Sequence, residues 1–199
     1  LVLLVLMLTA GVLALLRSEG GSRWLLQQMP GLETEGFQGR LLGQWQAEQL
    51  IWQDEQTRLG LRQAQMWLVT ACLWQGAVCL KQVSAQQLRL ELSEIEDSSS
   101  QPPDDIQLPD VQLPLALRVK QLQLGALYLN DAPLLSALQL VAELDGSQLQ
   151  LDELKLELQG YQLGLSGQLQ MQADWPLELT LEATGDLPDL GPQQVHLEL

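Results

Sequence analysis

The sequence predicts a mainly β protein: an N-terminal transmembrane helix followed by antiparallel strands in a meander, with one aliphatic face and one polar face. Three observations carry this reading. Behind the leading apolar segment, leucine alternates with a polar residue, most often glutamine, for about a hundred residues. Turn-forming residues stand where that alternation changes phase. Aromatics make up only 5% of the 199 residues, so a leucine-lined sheet has little else with which to interlock.

Leu1 to Leu16 carry no charge. As a helix they would span about 24 Å, slightly short of a ~30 Å hydrocarbon core. Residues 1–17 are expected to form an uncleaved signal anchor. A cleaved signal peptide is the competing reading, but Arg17-Ser18-Glu19-Gly20-Gly21 offers no small-x-small cleavage site. The absence of an initiator Met and a final strand running into Leu199 suggest a fragment of a longer chain.

Residues 18–92 are expected to hold a short helix and a first β segment. The helix spans Arg23 to Met29, with Ser22 as a candidate cap and Pro30-Gly31 as the stop. Trp24 could sit at headgroup depth or in a core. Gly36-Phe37-Gln38-Gly39-Arg40-Leu41 reads as a hairpin, because it lacks the strand-to-helix setting of a phosphate loop. Strands follow through Trp45 and Ala47, Leu50 and Trp52, Leu59 and Leu61, and Met66 and Leu68. Leu80 to Leu92 resumes the pattern.

Cys72 and Cys79 are the only cysteines. Gly76 permits a reversal between them, so a disulfide is geometrically feasible. Closing that loop would stabilise the fold by roughly 2.5 kcal/mol on a chain-entropy estimate. Two reduced, buried thiols are the alternative; the export-type leader favours the bridge. With one histidine, His196, far away in sequence, zinc is not expected.

Residues 93–105, with Glu94, Glu96, Asp97, Ser98-Ser99-Ser100, Pro102-Pro103 and Asp104-Asp105, read as an acidic linker that cannot bury a face. They lack calcium-loop spacing. Residues 106–199 resume the strand pattern. Leu113, Leu115, Leu117 and Val119 share one face, since successive strand side chains point opposite ways. The phase then moves to Leu122 and Leu124, to Leu127 and Leu129, to Leu154, Leu156 and Leu158, and to Tyr161, Leu163 and Leu165. Each change needs a turn or a bulge. Candidates are Asn130-Asp131, Asp145-Gly146-Ser147, Gln159-Gly160, Ser166-Gly167 and Thr184-Gly185-Asp186.

The net charge of −15 argues against nucleic acid as a partner and against an electrostatic grip on anionic headgroups. Carboxylates such as Glu153, Glu157 and Glu178 alternate with leucine on the polar face, where solvation explains them. No Ser-His-Asp or Cys-His set assembles, so no catalytic residue, enzyme activity or cofactor is expected.

In this order, the anchor, the Trp24-Leu25-Leu26 helix, the Gly36–Leu41 hairpin, Leu50-Ile51-Trp52, the cysteine segment and the strand ladder resemble the N-terminal part of the TamB family, AsmA-like proteins of diderm bacteria. Leu113-Pro114-Leu115 and Ala173-Asp174-Trp175-Pro176-Leu177-Glu178-Leu179 are similar to that family's strand starts. The resemblance implies an inner-membrane anchor and an elongated, curved periplasmic β-groove, a "β-taco", of a bridge-like lipid transporter. It further implies a role in outer-membrane biogenesis and pairing with the outer-membrane protein TamA through a C-terminal region absent here.

A continuous leucine floor suits phospholipid acyl chains. The candidate floor is Leu88, Leu90, Leu113, Leu115, Leu117, Leu122, Leu124, Leu154, Leu156, Leu158, Leu163 and Leu165. Two alternatives stand beside it: a closed sandwich or barrel whose leucines pack on one another, and a scaffold that receives strands of outer-membrane β-barrel proteins at an open sheet edge.

Overall fold

The computed structural model describes residues 7, 11–12, 14–92, 113–158, 160–172, 175–187 and 191–198. Among the described residues twelve strands form one mixed, mostly antiparallel sheet. They are β1 (Leu32–Glu35), β2 (Gln38–Gly39), β3 (Gln44–Gln53), β4 (Thr57–Val69), β5 (Ala77–Leu92), β6 (Ala116–Leu129), β7 (Ala132–Leu135), β8 (Ala137–Asp145), β9 (Gln148–Leu158), β10 (Tyr161–Gln170), β11 (Leu177–Leu187) and β12 (Gly191–Glu198). The lateral order is β1, β3, β4, β5, β6, β8, β9, β10, β11, β12, with β2 also on β3 and β7 also on β6. A helix, α1 (Glu19–Gln27), and a 3-10 helix, Thr70–Gln75, complete the described elements.

Among the described residues no helix is long and apolar enough to cross a membrane. Residues 11–12 and 14–17 are helical, but much of the expected anchor lies outside the described residues, as does the acidic linker at 93–105.

The expected helix at residues 23–29 begins earlier, at Glu19, and its cap is Ser18 rather than Ser22. Ser18 Oγ accepts from the Gly21 amide at 3.1 Å, one of the donors a helix start leaves unpaired. Gly21 fits because a Cβ there would strike Leu15 backbone and Ser18. Ser22 is fully buried inside the helix. Its hydroxyl donates to the Leu16 carbonyl at 3.2 Å and accepts from the Leu41 amide at 3.1 Å. Leu26 of α1 then packs with Phe37 and Ala47, flanked by Leu32, Leu41, Trp45 and Leu50. This small cluster closes one end of the sheet's apolar face.

Paired neighbours run antiparallel except β5 and β6, which are parallel, Ala77 opposite Ala116 and Leu90 opposite Leu129; β1 pairs with β3 and β6 with β8, so β2 and β7 are side additions to the meander. A tight turn joins antiparallel strands only; parallel neighbours need a longer crossover, and residues 93–115 supply its length. Most strands are also longer than the short ones the turn signals suggested, β5 running to 16 residues.

The expected turns separate into three outcomes. Asn130 and Asp131, at φ 46° and 64°, form the two-residue β6–β7 turn, Gly146 the β8–β9 turn and Gly160 the β9–β10 turn. Ser166-Gly167 marks a bulge within β10, where the register shifts between Leu165 and Gly167. Thr184-Gly185-Asp186 is no turn: it lies inside β11, and Gly185 leaves room for the Tyr161 ring of β10.

The leucine face as candidate functional site

Residues opposite one another in a sheet share a face, so the register reveals rows running across the strands. One row passes Trp45, Met66, Val83, Leu122, Leu140, Leu154, Leu165, Leu181 and Leu197, one residue from each of nine strands. At ~4.8 Å between strands it extends roughly 38 Å. Beside it run Ala85, Leu124, Leu138, Leu156, Leu163 and Ala183. Toward the start of β6 lies Val78, Leu117, Leu144, Leu149, Leu169 and Leu177. At the other end of β3 to β6 lie Leu50, Leu61, Leu88 and Leu127, then Trp52, Leu59, Leu90 and Leu129. None of these rows contains a charged residue.

Two lines of irregularity keep the leucines together. In the first, the pairings of Glu48, Gln63, Gln86 and Gly125 drop out at one level of β3 to β6. Gln63 has φ 50°, which reverses the pleat. Trp45 and Ala47 before this line, and Leu50 after it, all meet the cluster around Leu26, so the apolar residues stay on one side while their parity changes. In the second, the register slips by one between Trp67 and Leu68, between Val119 and Leu122, and between Val141 and Ala142. An extra residue on one strand is what moves the pattern from Val119 to Leu122 and from Leu151 to Leu154.

The structure thus gathers Leu122, Leu154 and Leu165 in one row, Leu124, Leu156 and Leu163 in the next, and Leu88, Leu90 and Leu117 on neighbouring rows. Leu158 pairs with Tyr161 at the β9–β10 turn. Leu113 and Leu115 do not join the ladder; β6 begins at Ala116, and both leucines are exposed. The Leu113 amide instead donates to the Gly146 carbonyl at 2.9 Å. Leu138, Leu140 and Leu144 belong to the face as fully as the expected leucines, and their period-2 spacing is a signal the sequence already carried.

The strand leucines of the expected set are half-buried. Among the described residues, strands pack against lateral neighbours, and α1 is the element laid against the sheet near β1 and β2. Among the described residues these leucines are shielded by their lateral neighbours and left half-buried, not sealed into the buried core. The opposite face is polar: Gln123, Gln139, Lys155, Gly164 and Glu182 form one row, and Arg118, Glu143, Gln150, Gln168 and Glu178 another. Arg118 Nε donates to Glu143 Oε1 at 2.6 Å. That hydrogen bond, and then the carboxylate charge, holds the guanidinium above its already high ordinary pKa. Arg58 and Glu91 stand 3.6 Å apart, and Arg89 and Asp131 3.3 Å. These rows and pairs put their charges on the side of the ribbon opposite the leucines.

Cys72 and Cys79 form a disulfide with their Cα atoms 5.9 Å apart. Gly76, at φ 72°, makes the reversal between them. Among the described residues no group of three His, Cys, Asp or Glu could hold a metal ion. The arrangement offers a non-directional apolar surface and no convergent set of polar groups to fix a small polar substrate.

The family profile described as "TamB, N-terminal domain" matches residues 7–107 and 105–199. No curated protein and no solved structure matches the chain.

Proposed function

The chain belongs to the TamB N-terminal domain family of the cell envelope, tied to outer-membrane biogenesis, and from that premise we propose that its leucine face is a periplasmic conduit for phospholipid acyl chains. In this reading the sheet curls into an elongated groove anchored in the inner membrane, and phospholipid moves along it toward the outer membrane. The observation that carries the proposal is the uncharged row from Trp45 to Leu197, which crosses nine strands and whose strand leucines, among the described residues, stay outside the buried core.

The energetics favour such a guest. At ~0.8 kcal/mol per CH₂, a sixteen-carbon chain crossing water unprotected costs roughly 12 kcal/mol. Leucine-to-lipid contact is non-directional, so successive positions hold the chain about equally and no deep trap interrupts sliding. Direction must then come from elsewhere.

Photocrosslinkers at Leu154 and Leu165 test the proposal. Phospholipid adducts on both positions are the expected result. Polypeptide adducts in their place would favour a scaffold for outer-membrane β-barrel proteins. A charge on the row, Leu156→Glu, should abolish the lipid adducts while the chain keeps its thermal transition; a lost transition would mean that these leucines form a closed core.

A further inference from the structure

We propose that the disulfide-closed loop tipped by Trp74 is a second membrane contact, a foot that rests in the headgroup region of the bilayer beside the N-terminal segment. This rests on the reading that the chain stands at a membrane, and it assigns to that membrane a site outside the leucine rows.

Trp74 is 83% exposed, the most exposed large apolar side chain among the described residues, and Leu73 beside it is 38% exposed. Structural need does not explain a fully presented indole, because it packs on nothing that would repay its hydration. From Val69 to Leu80 the chain has no charged residue, in a protein whose net charge is −15. The disulfide and Gly76 hold the loop in one shape, so little ordering remains to be lost when it docks.

Position identifies the occupant. The Leu42 amide donates to the Leu16 carbonyl at 3.1 Å, and the Leu68 amide donates to the Gly43 carbonyl at 2.7 Å. This short path places the end of β4, from which the loop springs, next to the point where the N-terminal segment leaves α1. Met7, Val12 and Leu15 of that segment are themselves exposed. On the loop's other side, the Ala116 amide donates to the Gly76 carbonyl at 3.1 Å, which brings the uncharged stretch Leu113-Pro114-Leu115 to the same end. Lys81 follows the loop with its ammonium 3.5 Å from the centre of the Trp67 ring, and Trp67 is 37% exposed. An indole and a lysine at the margin of an uncharged surface is the residue choice of a membrane interface, where each keeps its apolar body in and its polar end out.

The test uses the full chain in vesicles of phosphatidylethanolamine and phosphatidylglycerol, some brominated near the head of the acyl chains. Subtracting the emission of Trp74→Phe from that of the wild type isolates Trp74, and the exposed site tolerates the change, as circular dichroism checks. The Trp74 component should shift to the blue on incorporation and fall roughly twofold with brominated lipid, as for an indole at headgroup depth. A chain that floats with the vesicles while Trp74 stays unshifted and unquenched overturns the foot and leaves the membrane reading standing. A chain that fails to float overturns both.

Discussion

The Ser22 hydroxyl accepts the Leu41 amide at 3.1 Å across a fully buried contact, and this one bond ties α1 to the loop before β3. It explains why a serine, a weak helix former, sits inside the helix: its O–H also donates to the Leu16 carbonyl and so joins three segments of chain.

Ser22→Ala should therefore lower stability by about 1–3 kcal/mol, because the Leu41 amide is left buried without an acceptor. Thermal unfolding followed by far-UV circular dichroism measures it. A loss below ~0.5 kcal/mol would place the contact among ordinary surface substitutions.

Leu154→Ala reports on the open face. A leucine shielded only by lateral neighbours should lose about 1 kcal/mol, whereas one in a closed core loses ~2–5 kcal/mol. Denaturant unfolding of the two chains distinguishes these values, and a loss near the upper figure would require a covering layer.

Gly125 faces the Gln86 carbonyl across the parallel β5–β6 pair, and a Cβ would collide with it. Gly125→Ala should destabilise by about 1–3 kcal/mol through forced backbone movement. Gly164→Ala is the control: a Cβ there meets only Glu182 at ordinary contact distance, 3.9 Å. Equal melting temperatures for the two variants would argue against the parallel pairing.

Removing the bridge with Cys72→Ala and Cys79→Ala together should lower stability by roughly 2.5 kcal/mol, the chain-entropy value for so short a loop. Adding reductant to the wild type should reproduce most of that loss in a denaturant titration, and should leave the double variant unchanged.

Much of the architecture was legible because it is local. The two-residue period of a strand is set by its own backbone, so Leu154, Leu156 and Leu158 announced their shared face without any partner. Asn130-Asp131 and Asp145-Gly146 announced turns through their tolerance of positive φ. Thr184-Gly185-Asp186 misled for an instructive reason: glycine also serves where a neighbouring ring needs space, and Tyr161 takes that space across the strand pair. Gly20 and Gly21 lie inside α1, where Gly21 admits the close approach of Leu15.

By itself the sequence determined that this chain would form leucine-faced strands, where some of them would turn, and which cysteines stand close enough to be bridged. Only the tertiary structure decided that β6 pairs in parallel with β5, that the phase changes line up across strands, and that Ser22 belongs inside a contact rather than at a cap. The physical reason is degeneracy. One leucine strand presents nearly the same face as another, and the entropy of closing a loop changes slowly with its length. Neighbour, direction and register are therefore chosen by contacts distant in sequence, such as Gly125 fitting against Gln86, which no local pattern encodes.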